Sequence, residues 1–518
     1  MVAALAVYIV LQFAIAIWAS RFVNSEADYF VAGRRFGVLM VGVSVFATWF
    51  GAETVMGASG AIAEEGLAGG RADPFGYTLC LIGMALFLAY KLRASGVMTF
   101  PDYMQLRFGQ RAEVTAAVLT IPTSIIWASA QLLAMGQILS ETAGIDLGFA
   151  LFAGAVIIIA YTTIGGLLGD AMTDMVQGAV MMTGLVILLV TVLATGDFSF
   201  SHIGPEQLQW RLTEEDGTKE SWLSTIDAWM IPIVGSLVAQ EAISRFLGAK
   251  SASVARMGCY LASGLYLVLG AIPLIIGLLG HAAGFEAEST DSYLPELARQ
   301  YLSPLMYTVL MGALISAILS TVDTTLLAVS AIASRNLIER VARNLPEPRK
   351  LLFGRSLTLL AGLLAYAIAA SGETIKGLVE IASAFGSAGI AVALLIGLHS
   401  KFGREMAALG AMVAGALASF FGEGMPAWFI SLFDEAAADS MPGWTQGYEG
   451  SYLFAVLAAL AVYIVIGGLE SRGLIEDQKK ARLRLTRRAC EYRVPKGEET
   501  PNRRKDWVMP GTLGITPR

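Results

Sequence analysis

Apolar residues recur along the chain in runs of about twenty, and short polar segments separate the runs. A run of this length is what an α-helix needs to cross the hydrocarbon core of a bilayer. The pattern predicts an all-α polytopic membrane protein with about thirteen transmembrane helices. The predicted spans are residues 1–19, 37–62, 74–91, 113–140, 146–166, 171–195, 224–246, 256–281, 303–334, 353–371, 377–398, 405–421 and 449–468.

Lysine and arginine are concentrated in alternate loops, which orients the predicted helices. Basic residues cluster at 91–111, 245–256 and 335–355, whereas the loops at 196–221 and 283–302 are mainly acidic. By the positive-inside rule the basic loops are cytoplasmic. The alternation predicts that the N-terminus lies outside the cell and the C-terminus inside.

The composition agrees with this class and argues against several others. Of 518 residues, 55% are hydrophobic and 15% are charged, and the mean hydropathy is +0.63. The three cysteines, Cys80, Cys259 and Cys490, indicate neither a disulfide framework nor a metal cluster. No GxxxxGK[ST] sequence occurs, so nothing indicates direct drive by ATP. We expect neither an enzyme nor a nucleic-acid partner, and the sequence leaves the oligomeric state open.

The span at 303–334 carries polar residues where a lipid-facing helix would carry leucine and valine. Ala317, Ser320, Thr321 and Thr324 stand at i, i+3, i+4 and i+7, so they form one narrow stripe. Hydroxyl and carbonyl oxygens suit a hard monovalent cation. Asp323 lies at membrane depth, where a carboxylate costs about 2.5 to 3.5 kcal/mol on insertion scales. The alternative is that these small residues only permit close helix packing.

The span at 37–62 contains three glycines in the sequence SVFATWFGAETVMGASG, which makes an unbroken helix doubtful. Unwinding near Phe50 and Gly51 would free backbone carbonyls to bind a cation. Glu53 follows directly, and a carboxylate at this depth needs a partner such as an amine, a proton or a basic side chain. Simple close packing by the glycines is the alternative.

A second interruptible helix lies about five spans later. Pro232 and Gly235 stand in its first half, and Gln240 and Glu241 follow. Two such helices at this spacing are typical of inverted repeats with a binding site near the bilayer midplane.

Charged residues beside these helices have simpler interpretations. Arg245 and Lys250 follow an apolar segment, as cytoplasmic anchors do. Asp170 follows a Gly-Gly turn and is expected to compensate a helix dipole. Asp174 lies further into the same helix, which makes it a candidate for the site.

Six motifs follow one another along the chain: DYFVAGRR, ATWFG, TFPDYMQLRFG, YTTIGGLLGDAMTDMVQ, SRFLGAKSASVAR and SAILSTVDTTLL. In these motifs and their order, the chain resembles the sodium:solute symporters. The resemblance implies a LeuT-like core of ten helices in two inverted halves at 37–398. It also implies an extra transmembrane helix at 1–20 and two more at 405–468. The basic segment at 470–518 is expected to be a cytoplasmic tail.

The resemblance also implies where sodium binds. The family's main sodium site corresponds to the backbone carbonyls of Ala47, Phe50 and Ala317 and to the hydroxyls of Ser320 and Thr321. A second sodium region known in some members corresponds to Ser320 and to three further positions. Those positions are Asp174, Asp323 and Thr324, and Asp323 departs from the hydroxyl found in those members.

Within the family, the chain is similar to the high-affinity choline transporter branch, which surrounds a quaternary ammonium with aromatic faces. The matching positions are Trp49, Tyr77 and Trp127, and ring faces attract a cation. Where that branch has a further tryptophan, this chain has Ala239. Packing or an interfacial belt is the alternative for each ring. The substrate residues predicted in all are Trp49, Glu53, Tyr77, Trp127, Gln240 and Glu241.

The expected function is therefore sodium-coupled import of a small solute by alternating access, with Na⁺ as the coupling ion. A cationic or zwitterionic amine is the leading substrate class, and an amino acid or monocarboxylate is the alternative. A transporter-like solute sensor is a further alternative, which the short tail disfavours. We expect a multi-pass protein of a cell membrane, such as a bacterial inner membrane, with the lipid bilayer, sodium ions and the solute as partners.

Overall fold

The computed structural model describes residues 2–23, 25–194, 198–213, 217–338, 346–371, 375–422 and 449–472, and these are predominantly helical. The helices are α1 Val2–Ser20, α2 Glu26–Val31, α3 Val38–Trp49, α4 Ala58–Glu65, α5 Tyr77–Gly83, α6 Ala89–Ser95, α7 Phe100–Arg107, α8 Gln110–Ala143, α9 Leu147–Ala194, α10 Trp222–Val234, α11 Gln240–Leu247, α12 Ala252–Ala282, α13 Tyr293–Tyr301, α14 Pro304–Ile332, α15 Glu347–Ala369, α16 Ile375–Ala384, α17 Ser387–His399, α18 Glu405–Gly422 and α19 Ser451–Ser471. Two isolated β-bridges are the only strand-like pairings in these ranges.

Helix α14 is buried over most of its length. Ser303 caps its first turn by accepting the Met306 N–H, and Pro304 occupies its first position. Every residue from Leu310 to Ile332 is buried, because α14 packs against α3, α8 and α9. The polar stripe predicted on this helix therefore faces protein and not lipid.

Several helices are interrupted at residues that the sequence marks. Gly166 has a φ of 61°, which divides α9 into two helices at the predicted Gly-Gly turn. Helix α3 ends at Trp49, and Phe50 leaves the helical conformation with a ψ of 63°. The segment Trp222–Val238 meets Gln240–Leu247 at an angle of 46°. The two predicted interruptions, near residue 50 and near residue 236, are thus confirmed.

The described residues hold eight helices that are long and apolar enough to cross a membrane, or up to ten when each bent pair counts as one. Three shorter apolar helices, Val10–Ser20, Val38–Trp49 and Leu147–Ala160, accompany them. Each predicted apolar segment overlaps one of these helices or pairs. The expected single helix at 377–398 is divided instead, since Gly386 has a φ of 68° and bends α16 against α17 by 43°. The tail from residue 473 and the loop at 423–448 lie outside the described residues.

Helices α17 and α18 approach each other closely at a pair of glycines. A Cβ added to Gly415 would lie 2.5 Å from the backbone nitrogen of Gly389 and 2.7 Å from its Cα. Contact this close between backbones is how small residues join helices in a membrane. Gly468 on α19 is different, because a Cβ there would meet no atom of the described residues within 4 Å.

We expect Gly415→Ala to lower the thermal unfolding temperature, because the added methyl group forces α17 and α18 apart and overpacking costs about 1–3 kcal/mol. Gly468→Ala is the matched control. It should leave the unfolding temperature unchanged or raise it, since alanine favours a helix over glycine by about 1 kcal/mol. Thermal unfolding of the purified proteins in detergent measures both, and equal behaviour of the two variants would contradict the packing described here.

Candidate ion and solute sites

The C-terminal end of α3, where the helix is interrupted after Trp49, lies against the middle of α14. The Ser320 hydroxyl donates to the Ala47 carbonyl oxygen at 2.6 Å and also lies 3.1 Å from the Ala317 carbonyl. The Thr321 hydroxyl donates to the same Ala317 carbonyl at 3.0 Å. A Cβ on Gly51 would lie 3.0 Å from Thr321 Oγ1, so the interruption itself borders this hydroxyl.

Hydrogen bonds therefore join four of the five residues predicted for the main sodium site, and the fifth, Phe50, directly follows the end of α3. Each of Ala47, Phe50, Ala317, Ser320 and Thr321 is at most 1% exposed. Carbonyl and hydroxyl oxygens dominate this region, and oxygen ligands suit a hard cation. Ala47 and Ser320, which are far apart in the sequence, meet inside the fold.

Arg245 forms a second polar centre beside this region, and its interpretation as a cytoplasmic anchor is wrong. The side chain is fully buried, with one guanidinium nitrogen 2.6 Å from Asp170 Oδ2 and another 3.0 Å from Asp174 Oδ2. Its Nε donates to Thr48 Oγ1 at 3.1 Å. The bend before α11 turns this helix into the protein, so a basic residue that follows an apolar segment ends up inside it. Asp170 pairs with Arg245, so the dipole interpretation does not describe its role.

The residues predicted for a second sodium ion gather around this arginine. Asp174 accepts the Ser44 hydroxyl at 2.5 Å, in addition to its ion pair. Thr324 Oγ1 accepts from the Arg245 guanidinium and lies 3.1 Å from Asp170 Oδ2. Asp323 is 1% exposed and accepts the Thr324 N–H at 2.8 Å. The positive charge next to Asp174 thus comes from a side chain of the protein.

The three predicted aromatic residues form a cluster beside the interruption that follows α3. The ring centroids of Trp49 and Tyr77 are 5.7 Å apart, and those of Tyr77 and Trp127 are 6.3 Å apart. Trp49 and Trp127 line a small cavity of about 40 Å³ together with Ala239 and Glu241. A cavity of this size has room for a few water molecules. Further lining residues carry hydroxyl groups: Thr120, Thr123, Ser124, Ser236, Ser383 and Ser387.

Two predicted substrate residues lie away from this cavity. Glu53 Oε2 accepts from the Gln131 side-chain amide at 2.6 Å, and Gln131 Oε1 accepts the Ala52 N–H at 2.9 Å. Gln240 Oε1 accepts the Phe100 N–H at 2.9 Å, which joins α11 to the start of α7. The structure therefore brings together Trp49, Tyr77, Trp127 and Glu241, and it places Glu53 and Gln240 in separate contacts.

Sequence reasoning missed a buried network behind the aromatic cluster. Tyr266 donates its hydroxyl to Asp73 Oδ1 at 2.5 Å, and the same hydroxyl lies 2.8 Å from Thr54 Oγ1 and 3.2 Å from the Trp49 carbonyl. Asp73 could have been found as a carboxylate at the edge of an apolar run. Tyr266 carries no such signal, because a single tyrosine in an apolar helix is ordinary.

An enclosed polar centre between two interrupted helices is the arrangement of alternating-access transporters. The fold agrees with this class. A Na⁺-coupled sialic acid symporter, solved in a substrate-bound outward-open state, matches with a TM-score of 0.70 and 16% identity, over 90% of this chain and 97% of that chain. The molecule thus has the fold of that symporter.

The sequence comparisons identify the family. The profile described as "Sodium:solute symporter family" matches residues 29–417, and the chain belongs to that family. The high affinity choline transporter 1 of Homo sapiens is 28% identical over 406 residues, which are 73% of this chain and 69% of the relative. The high-affinity proline transporter PutP of Bacillus subtilis is 25% identical over 468 residues, 82% of this chain and 96% of the relative. Sodium-coupled transport of a solute is the activity that family and fold support, and the earlier expectation of a transporter and not an enzyme is confirmed.

We expect Arg245→Met to destabilise the protein strongly. Removing one partner of a buried ion pair costs about 3–5 kcal/mol, because the carboxylates left behind are uncompensated. Adding Asp170→Asn and Asp174→Asn to the same chain should recover part of the loss. Thermal unfolding of the purified variants measures both effects.

Lys250→Met is the control for this prediction, because Lys250 is exposed in the same basic segment. It should unfold at the wild-type temperature. An Arg245→Met protein as stable as Lys250→Met would show that the ion pairs contribute nothing.

Proposed function

We propose that this protein imports a small organic amine together with sodium by alternating access in a cell membrane. The main sodium ion is held by the carbonyls of Ala47, Phe50 and Ala317 and the hydroxyls of Ser320 and Thr321. The contact between the Ser320 hydroxyl and the Ala47 carbonyl, at 2.6 Å, is the observation that carries this proposal. This contact joins the end of α3 to α14, and both Ser320 and Ala47 are fully buried.

The coupling follows from where the ion binds. When sodium enters, both hydroxyl oxygens turn their lone pairs toward it, and the ion replaces the direct Ser320 contact as the link between α3 and α14. A ligand shifts a conformational equilibrium only through its different affinities for the two states. Sodium is proposed to bind better to the outward-facing state, in which the ion links α3 to α14. It therefore raises the affinity for the solute, and the solute raises the affinity for sodium by the same factor.

The proposed architecture is a core of ten helices at 37–398 in two inverted halves. One helix at 1–20 precedes the core, and two at 405–468 follow it. The interruptions after Trp49 and before Gln240 support this division, because they fall in the first helix of each half. Thirteen crossings with the N-terminus outside place the basic loops and the tail at 470–518 in the cytoplasm.

The solute is proposed to bind at the cavity between Trp49, Trp127 and Glu241. Two ring faces and one carboxylate favour an organic cation. Neither of the two buried arginines of the described residues opposes this charge, since Arg71 pairs with Glu220 and Arg245 with Asp170 and Asp174. This supports an amine, either quaternary as choline is or zwitterionic.

A neutral or acidic metabolite is the second candidate. Ala239 lines the cavity where the choline branch has a tryptophan, so the aromatic enclosure has an open side. The hydroxyls of Thr120, Ser124 and Ser383 on the cavity wall can donate hydrogen bonds to a carboxylate. An amino acid would use both the hydroxyls and Glu241.

We expect the double variant Ser320→Ala/Thr321→Ala to lose sodium-dependent solute uptake while it still inserts into the membrane, because two of the five oxygen ligands are removed. Thr325→Ala is the matched control on the same helix, since its hydroxyl bonds back to the Thr321 carbonyl at 2.7 Å. Uptake into proteoliposomes with and without a sodium gradient measures the effect. Unchanged sodium dependence in the double variant would remove the site assignment.

A thermal-shift screen of amines, amino acids and monocarboxylates, each with and without sodium, tests the substrate class. If choline or a related amine stabilises the protein, Trp127→Leu should weaken its binding about 2- to 30-fold, because a ring face contributes about 0.5–2 kcal/mol. Trp127→Phe should lose less. Trp229→Leu, which alters a ring packed against Trp210 away from the cavity, should match the wild type. Sodium-dependent stabilisation by organic acids alone would favour the second candidate.

A further inference from the structure

We propose a second cation site, for sodium, formed by Glu53, Gln131 and Thr321 around Gly51. It rests on the proposed main sodium site through Thr321, whose hydroxyl borders both. This assignment gives Glu53 a role in binding an ion and leaves solute recognition to the cavity residues.

Gly51 shows how closely these oxygens converge. A Cβ at this position would lie 2.8 Å from Gln131 Oε1, 2.9 Å from Glu53 Oε2 and 3.0 Å from Thr321 Oγ1. The Glu53 oxygen comes from the segment that follows α3, the Gln131 oxygen from α8 and the Thr321 oxygen from α14. They meet on one side of a residue that has no side chain to separate them. An amide oxygen, a carboxylate and a hydroxyl are the ligand types that hard cations take.

Among the described residues, no arginine or lysine forms an ion pair with Glu53. The residue is 7% exposed, and within the part of the chain that the structure describes its Oε1 has no hydrogen-bond partner. A buried carboxylate is costly unless it is paired or bound to an ion. The buried arginines Arg71 and Arg245 are engaged by other carboxylates.

Gln131 holds this carboxylate in place. Its amide nitrogen donates to Glu53 Oε2 at 2.6 Å, while its oxygen accepts the Ala52 N–H at 2.9 Å. One side chain of α8 thus fixes both the carboxylate and the first backbone group after the interruption. An ion bound here would stabilise the same interruption that forms the main site.

The alternative position for a second sodium ion is Asp174. That carboxylate already has Arg245 at 3.0 Å and the Ser44 hydroxyl at 2.5 Å. Asp174 therefore has a cationic partner, which it shares with Asp170, whereas no described residue forms an ion pair with Glu53. The two positions make opposite predictions about which variant loses an ion.

Equilibrium binding of radioactive sodium to the purified protein, with no solute present, counts the ions directly. We expect two sodium ions per wild-type chain, and one for Glu53→Gln. Asp174→Asn should keep two. Glu64→Gln, at an exposed position of α4, is the matched control and should also keep two. Should Glu53→Gln not fold, Gln131→Leu removes one ligand and the support of Glu53, and it should also reduce the count to one.

The outcomes separate this site from the main one. Ser320→Ala should leave one ion, held at Glu53. A wild-type count of one that Ser320→Ala abolishes and Glu53→Gln does not would keep the proposed main site and overturn the second. Loss of an ion in Asp174→Asn, with none lost in Glu53→Gln, would move the second site to the Arg245 centre and overturn the proposal.

Discussion

The contact between Ser320 on α14 and the Ala47 carbonyl at the end of α3 is the interaction on which the rest of the structure depends. In a continuous helix the Ala47 carbonyl would accept the backbone N–H of residue 51, four positions later. Because α3 ends at Trp49 and Phe50 leaves the helical conformation, the Ala47 carbonyl instead meets the Ser320 hydroxyl. Burial of α14 from Leu310 to Ile332 keeps lipid away from this contact.

Buried charge is arranged in two different ways on either side of this contact. On one side, Arg245 forms ion pairs with Asp170 and Asp174. On the other, Glu53 accepts the Gln131 amide and forms no ion pair with another described residue. A single guanidinium carries one positive charge, so it balances only one of the two aspartates when both are ionised. A cationic side chain thus holds the aspartates, whereas a dissolved cation is proposed to bind Glu53.

The sequence predicted most of the helical architecture and the buried polar contact proposed to bind sodium, because periodicity and glycine leave strong local signals. Ser320 and Thr321 were found from their spacing on an apolar helix, and the interruption near Gly51 from its glycines. Arg245 was misjudged because a basic residue after an apolar segment is usually an anchor, and only the bend before α11 reveals that it turns inward. Gln131 was missed because one glutamine in a long helix has no pattern. The bend at Gly386 was missed because the apolar run continues through it.

Experimental structures determined in sodium and in a sodium-free buffer would show whether an ion binds between α3 and α14. In sodium, we expect an ion among the carbonyls of Ala47 and Ala317 and the hydroxyls of Ser320 and Thr321. Without sodium, we expect no such ion and the direct contact from Ser320 to Ala47 in its place. An unchanged arrangement of these groups in the two buffers, or a sodium ion bound only elsewhere, would contradict this expectation.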